Sequence, residues 1–173
     1  GEVMLYNLTK HGNRKVIFIL GKGRLLNQSI VSKKPNALFG EAVCPVQALK
    51  IPEGVFLRLM EQCHELTYSI LREYERNLWR MGHQLKNTTG NMQTEREIAA
   101  KLWKLGRDFG VETEEGVMVD IDLTITLMAD LVGVPRENVS RACKVLTDRG
   151  LIRYSSKRFI LTDFDGLADF YKM

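Results

Sequence analysis

The sequence predicts an α+β chain with three parts: a block of short β-strands, a long helix and a C-terminal winged helix-turn-helix. Residues 1–52 alternate short apolar runs with turn residues, whereas residues 53–89 repeat apolar positions every three or four residues. Residues 90–173 then run in the order helix, strand, helix, glycine turn, helix and hairpin. We place the domain boundaries between these three segments, because composition and periodicity change there.

The composition excludes several classes of protein. With 173 residues, 45% hydrophobic and 27% charged, the chain is long enough to bury a core and is not disordered. No apolar run reaches the roughly 18 residues of a membrane span, and the N-terminus lacks a signal-peptide pattern. Cys44, Cys63 and Cys143 are widely spaced without a CxxC motif, which indicates reduced thiols. We therefore expect a cytoplasmic protein with no membrane partner.

The first 52 residues read as strands joined by turns. Residues 3–6 and 16–20 are apolar and partly β-branched, and they flank a turn signal around Gly12. Residues 37–43 and 46–51 complete the predicted strands. A closed barrel and an open sandwich both fit this block.

Pro52 marks the change to helix, because proline suits the first turn of a helix. The pattern predicts a short helix over residues 53–62 and a long one over residues 64–88. The long helix could pack only on its own domain, or it could self-associate. A heptad-like seam favours a homodimer, since Leu66 and Ile70 already offer a separate stripe to the sheet. The predicted dimerisation residues are Leu71, Tyr74, Leu78, Met81 and Leu85.

Residues 87–91 have the composition of a hinge, which sets the boundary before residue 90. Beyond it, residues 94–97 match a capping box at the start of a helix that Gly110 ends. Residues 117–123 alternate as a strand does, and a final short helix is predicted over residues 163–172.

Between these elements lies the pattern of a helix-turn-helix. Thr124 is placed to cap a helix over residues 125–131, Gly133 supplies a tight turn, and Pro135 begins a second helix that ends at Gly150. Residues 151–154 and 158–161 then form a hairpin, the wing. The second helix should bury Val139, Ala142, Cys143 and Leu146.

The opposite face of that second helix carries the chemistry of DNA recognition. Arginine can donate two hydrogen bonds to guanine, and glutamate can accept one from cytosine. In such motifs the N-terminal end of this helix enters the major groove of DNA. The residues predicted to read bases are Arg136, Glu137, Ser140 and Arg141.

A second set of residues is predicted to contact phosphates. Residues 124–161 hold seven Lys/Arg against three Asp/Glu, although residues 90–173 as a whole hold 12 against 14. This local excess is what a surface that faces DNA needs. The predicted phosphate contacts are Thr124, Thr126, Lys144, Lys157 and Arg158.

Residues 117–162 resemble the C-terminal domain of the cyclic-AMP receptor protein / fumarate-nitrate reduction regulator (Crp/Fnr) family. The resemblance rests on the run Arg136-Glu137-Asn138-Val139-Ser140-Arg141 and on residues 146–152, which lead into the wing. It implies that residues 1–52 are the later strands of an effector-binding β-roll and that residues 53–88 contain the dimerisation helix. The earliest strands are missing from this sequence, so either the chain is truncated or another segment supplies them.

The resemblance implies a dimeric transcription regulator of an inverted DNA repeat with a TGA-containing core, and RNA polymerase as a partner. Its effector is a small molecule of unknown identity. Family members that bind cyclic nucleotides carry Gly-Glu-Leu followed by Arg-Ser/Thr-Ala, but residues 23–28 and 35–38 lack this glutamate and arginine. The adenine-contacting polar pair is replaced by Met81 and Gly82. We therefore expect neither cyclic AMP nor an iron–sulfur cluster, and an apolar pocket near Leu25, Leu26, Phe39, Met81 and Leu85.

An alternative interpretation keeps the predicted fold but assigns no DNA binding to it. The chain could be a non-catalytic effector-binding or protein-interaction protein with a degenerate winged helix. An enzyme is not predicted, because residues 21–24 lack the spacing of a phosphate loop and no nucleophile–base set is visible. No metal site is predicted either.

Overall fold

The computed structural model describes residues 1–10, 12–27, 29–32, 34–88 and 93–172, and for residues 85–88 it describes the backbone. The chain folds into two compact units. Unit 1 comprises Gly1–Asn7 and Ile17–Thr89, and unit 2 comprises Leu8–Val16 and Gly90–Met173. The mixture of antiparallel sheets and helices confirms the predicted α+β class. The predicted hinge lies largely outside the described residues.

A three-stranded sheet lies largely in unit 1 and consists of β1 (Val3–Leu8), β2 (Arg14–Leu20) and β3 (Phe39–Ala42). The strand order is β2-β1-β3, and β1 pairs with β3 antiparallel, with Val3 opposite Ala42 and Tyr6 opposite Phe39. One face of the sheet carries an apolar core of Val3, Leu5, Phe18 and Leu20.

The prediction of a strand over residues 46–51 is wrong. Val46 packs against the core of the sheet, but the neighbouring side chains face solvent, and Leu49 is 87% exposed. The segment has prolines on both sides, Pro45 and Pro52, and it presents no continuous apolar face to a partner strand. Apolar composition alone therefore misled the prediction.

Two helices complete unit 1, with the predicted bounds: α1 (Glu53–Gln62) and α2 (His64–Thr88). Three polar contacts on one face of α2 hold it to the strands and loops of the unit. Arg24 Nη1 lies 2.6 Å from Glu73 Oε2, Gln84 Nε2 donates to the carbonyl of Ile17 at 3.0 Å, and the Arg80 guanidinium lies over the Phe18 ring. Ile70 is buried on the same side, as the sequence predicted.

Unit 2 is a winged helix-turn-helix. Its sheet is antiparallel with the strand order β4-β5-β7-β6, and α3 packs against α5 and α6. Fully buried side chains such as Ile98, Leu123, Leu146 and Phe159 form its core. The elements are α3 (Thr94–Phe109), β4 (Gly110–Thr113), β5 (Gly116–Val119), α4 (Ile125–Val132), α5 (Arg136–Asp148), β6 (Arg153–Ser155), β7 (Arg158–Leu161) and α6 (Phe164–Lys172).

Three details of unit 2 differ from the prediction. Gly110 begins strand β4, which the sequence did not reveal because all four of its residues are exposed. The strand predicted over residues 117–123 ends at Val119. The predicted capping box is absent, since Thr94 is the first residue of α3 and Gln93 precedes it without a side-chain cap.

No helix in the described part of the chain is both long and apolar enough to span a membrane.

Candidate nucleic-acid interface

The turn between α4 and α5 has the geometry that its sequence predicts. Thr124 Oγ1 accepts a hydrogen bond from the backbone N–H of Leu127 at 3.0 Å and so caps α4. At the other end Gly133 has a φ of +87°, and its N–H donates to the carbonyl of Ala129 at 2.7 Å. Pro135 then leads directly into α5. These local contacts fix where the second helix begins.

Helix α5 divides into a buried and an exposed face. The predicted inner residues are all buried, with Val139 and Leu146 fully so. The predicted recognition residues Arg136, Glu137, Ser140 and Arg141 are all exposed, and Lys144 is exposed one turn further on. The structure therefore brings the predicted residues together within the first two and a half turns of one helix.

The cations of α5 are not neutralised by the protein. Among the described residues, Arg136, Arg141 and Lys144 form no ion pair. An unpaired cation on a surface keeps its donors available for a phosphate or a base edge.

On the buried face of α5, burial raises the pKa of the Cys143 thiol to about 11, so this sulfur is a neutral packing group.

The wing turns more tightly than predicted. Ser155 pairs with Arg158 across the hairpin, which leaves only Ser156 and Lys157 in the turn. Both have positive φ, 50° and 62°, the backbone of a type I′ turn. The carbonyl of Lys157 accepts a hydrogen bond from the N–H of Leu123 at 2.8 Å, so the wing turn lies beside the start of α4.

The predicted phosphate contacts have unequal surroundings. Lys157 and Thr126 are exposed, whereas the hydroxyl oxygen of Thr124 already caps its helix. Arg158 is ion-paired with both Asp120 and Asp122. Sequence reasoning did not connect these two aspartates with the wing. The available signal was the strand register, because the pairing of Met118 with Ile160, if continued by two residues, sets Asp120 opposite Arg158.

On α2 of unit 1, the residues predicted to form the dimer seam are partly exposed to solvent. Leu71, Leu78 and Met81 are 55%, 73% and 45% exposed, and Tyr74 is half-buried, which raises the pKa of its hydroxyl. The side chain of Leu85 lies outside the described residues. Sequence reasoning missed Tyr68 and Trp79, which widen this exposed apolar face, and the Trp79 ring lies 3.9 Å from that of His83.

Unit 1 also contains a cavity of about 380 Å³ beside the sheet. Its walls are mostly apolar, with Val3, Leu5 and Leu38 among them, and it includes the amides of Asn27 and Asn36. Of the predicted pocket residues Leu26 lines it, whereas Leu25, Phe39 and Met81 do not. The described residues contain no cluster of three or more His, Cys, Asp or Glu that could hold a metal ion.

Residues 97–170 match the family model of the Crp-like helix-turn-helix domain. The whole chain is also similar to the CRP-like cAMP-activated global transcriptional regulator of Mycobacterium tuberculosis, with 25% identity over 169 residues, 97% of this chain and 75% of the relative. Residues 97–170 are therefore a Crp-like helix-turn-helix domain, and the chain is a DNA-binding transcriptional regulator that is similar to those of the Crp/Fnr type. As such it binds DNA through the helix-turn-helix of unit 2.

Two solved structures share the fold of this regulator. A CRP/FNR-family transcriptional regulator from Thermus thermophilus aligns with a TM-score of 0.80 and 21% identity, over 100% of this chain and 84% of that one. The c-di-GMP-responsive global regulator CLP of Xanthomonas campestris aligns with a TM-score of 0.72 and 16% identity, over 93% and 80%. Among the similar proteins, the names of the Xanthomonas campestris and Mycobacterium tuberculosis regulators indicate different effectors, c-di-GMP and cAMP.

Proposed function

We propose that this regulator binds an inverted-repeat DNA site as a homodimer and reads bases with Arg136, Glu137, Ser140 and Arg141. The observation that carries the proposal is the exposed set of polar side chains at the N-terminal end of α5, which form no ion pair with the residues that the structure describes. That end of the second helix is the part that enters the major groove in helix-turn-helix proteins. The two recognition helices of a two-fold dimer lie about 34 Å apart, one turn of DNA, which leads to the inverted repeat.

Glu137 is the most informative member of this set. A carboxylate weakens binding to phosphates, so its place between Arg136 and Arg141 is unfavourable for a surface that only attracts the DNA backbone. It is favourable if the carboxylate accepts a hydrogen bond from the amino group of cytosine. We assign guanines to the two arginines and a cytosine to Glu137, consistent with a TGA-containing core.

Backbone contacts complete the proposed interface. Lys144 lies on α5 itself, Thr126 on α4 and Lys157 in the wing, and all three are exposed. Thr124 can still donate its hydroxyl proton while its oxygen caps the helix. Phosphate contacts of this kind position a protein on DNA without reading its sequence.

The test is selection of binding sites from a random duplex library, with the full chain and with Glu137→Ala. The expected result is an inverted repeat for the parent and, for the variant, loss of preference at one base pair of each half-site. Asp148→Ala, at the other end of α5, serves as the control and should leave the consensus unchanged. If no repeat is selected, the protein-interaction alternative replaces this proposal.

The dimer is proposed to form along α2. Leu71, Leu78 and Met81 are exposed at steps of seven and three residues, which is the seam spacing of a parallel coiled coil. The contacts of the opposite face with Arg24, Ile17 and Phe18 leave this seam free for a second copy. Heptad association of two copies would bury these side chains.

The effector is proposed to be a small, largely apolar molecule rather than cyclic AMP, although the relative from Mycobacterium tuberculosis is cAMP-activated by name. Arg24 lies near the start of the segment that corresponds to the phosphate cassette, but its guanidinium is held by Glu73. The cavity of unit 1 has mostly apolar walls with two amides, and none of the described residues that line it is a cation. Isothermal titration with cyclic AMP should detect no micromolar binding, and a micromolar Kd would overturn this part of the proposal.

Transcription regulators of this type act on RNA polymerase, and we propose the same partner here and a cytoplasmic location. The relatives are regulators and not enzymes. In vitro transcription from a promoter that carries the selected repeat tests the partner. The expected result is a change in transcript level that is lost with Arg141→Ala.

A further inference from the structure

The wing of this regulator carries two neighbouring cations with different surroundings. Lys157 is exposed in the turn and forms no ion pair with the residues that the structure describes. Arg158 begins β7, and its Nη1 donates to Asp120 Oδ1 while its Nη2 lies 3.1 Å from Asp122 Oδ1. One cation is therefore available to DNA, and the other is engaged by two carboxylates.

The sheet explains why Arg158 reaches both aspartates. Strands β5 and β7 are antiparallel, with Val117 opposite Leu161 and Met118 opposite Ile160. If this register is continued past the end of β5, Asp120 lies opposite Arg158, and Asp122, two residues further along the same segment, is also within reach of the guanidinium. A planar guanidinium has donors on both of its Nη atoms, so it can hold two separate carboxylates.

The electrostatics of this group disfavour a phosphate contact by Arg158. Two carboxylates and one guanidinium carry a net charge of −1, and all three side chains are a third or more exposed. A phosphate that approached Arg158 would have to compete with both aspartates. The segment that carries Asp120 and Asp122 also holds the wing turn through its backbone, because the N–H of Leu123 donates to the carbonyl of Lys157.

We propose that Arg158 is a positioning residue: bridged to Asp120 and Asp122, it holds the wing turn so that Lys157 contacts the DNA backbone. The proposal rests on the proposed phosphate contact of Lys157. It removes Arg158 from the phosphate-binding set and assigns a role to two aspartates that lie close to the DNA-binding surface. Exposed ion pairs contribute little to folding stability, so the effect belongs to DNA binding.

The test is a double-mutant cycle read out by salt dependence. The affinity for the selected repeat is measured by fluorescence anisotropy between about 50 and 300 mM salt for the parent, Lys157→Ala, Arg158→Ala and the double variant. Lys157→Ala should reduce the slope of log K against log salt by about one unit per protomer. Arg158→Ala should also reduce the slope, by an amount no larger than that, and the slope of the double variant should match that of Lys157→Ala; an unchanged slope in Arg158→Ala alone would contradict the positioning role.

Three other outcomes of this experiment would contradict the proposed roles of Arg158 or Lys157. If Arg158 binds a phosphate directly, the double variant loses about two units of slope per protomer, and the positioning role is wrong. If Arg158→Ala weakens binding but Lys157→Ala does not, Arg158 does not act through Lys157 and the proposal also fails. If neither variant changes the slope, the wing does not contact the backbone, and it is the phosphate part of the proposed function that is wrong.

Two further variants separate positioning from loss of charge or of fold. Arg158→Lys keeps the charge but replaces the planar fork, whose two Nη atoms hold separate carboxylates, with a single nitrogen, so it should bind DNA more weakly than the parent. Full affinity in Arg158→Lys would indicate a phosphate contact. Lys104→Ala removes an ion-paired cation from α3, which carries none of the proposed contacts, and should leave affinity and slope unchanged. Thermal unfolding of each variant checks that unit 2 remains folded.

Discussion

Truncation of Leu78 should weaken the dimer by an amount that its exposure sets. The side chain is 73% exposed in the single chain, and complete burial of a leucine stabilises by about 1.5–3 kcal/mol. Burial of the exposed part is thus worth roughly 1–2 kcal/mol per protomer and roughly 2–4 kcal/mol for the two copies of a symmetric interface. Leu78→Ala should therefore raise the dimer dissociation constant about 30- to 700-fold, because 1.4 kcal/mol is a factor of ten.

Sedimentation equilibrium over a range of protein concentrations measures this constant directly. Leu49→Ala is the matched control, since Leu49 is 87% exposed but lies outside α2. Removing it should leave the dissociation constant unchanged, because nothing in the proposed seam contacts it. If Leu78→Ala dimerises as tightly as the parent, the seam assignment is wrong. An unchanged dimer with both Leu78 and Leu85 replaced by glutamate would exclude α2 from the interface.

Three further predictions concern unit 2. Arg141→Ala should cost about 1–3 kcal/mol of discrimination at one base pair, measured by competition with mismatched duplexes. Gly133→Ala should lower the free energy of unfolding by about 1 kcal/mol, because Gly133 has a φ of +87°. Gly54→Ala is the control and should not lower it, because a Cβ added at Gly54 would meet nothing within 4 Å. Urea unfolding of the two variants measures the difference. Burial raises the Cys143 pKa from 9.0 to about 11, so the contribution of this thiol to stability should be constant below pH 9 and fall by up to about 2–3 kcal/mol as pH rises to 11; this part of the pH dependence should be absent in Cys143→Ala.

The parts of the fold that the sequence predicted well are those with strong periodicity or punctuation. Helices α1 and α2 have the predicted bounds because Pro52 begins the first and apolar spacing continues along the second. The turn at Gly133 was predictable because a positive φ at that point strongly favours glycine. Local rules decide these features, so a single sequence suffices.

The parts that the sequence predicted badly depend on tertiary context. Strand β4 is exposed at every residue and so has no apolar alternation to reveal it. Residues 46–51 have strand-like composition, but only Val46 reaches the core of the sheet. The residues of the proposed DNA interface differ in the same way. The exposed face of α5 could be predicted from helical spacing. The ion pair of Arg158 with Asp120 could not, because it depends on a strand register that brings together residues 38 positions apart.

Net charge and DNA binding are separate quantities in this regulator. Residues 90–173 carry 12 Lys/Arg and 14 Asp/Glu, which by itself argues against a polyanion as partner. The structure shows why the count misleads: Arg153 and Arg158 are neutralised by carboxylates, whereas Arg136, Arg141 and Lys144 form no ion pair with the described residues. At physiological salt, charges beyond about 8 Å are largely screened, so the unpaired cations on α5 dominate what a nearby phosphate experiences. Close contacts, rather than a long-range field, must therefore supply most of the affinity of unit 2 for DNA.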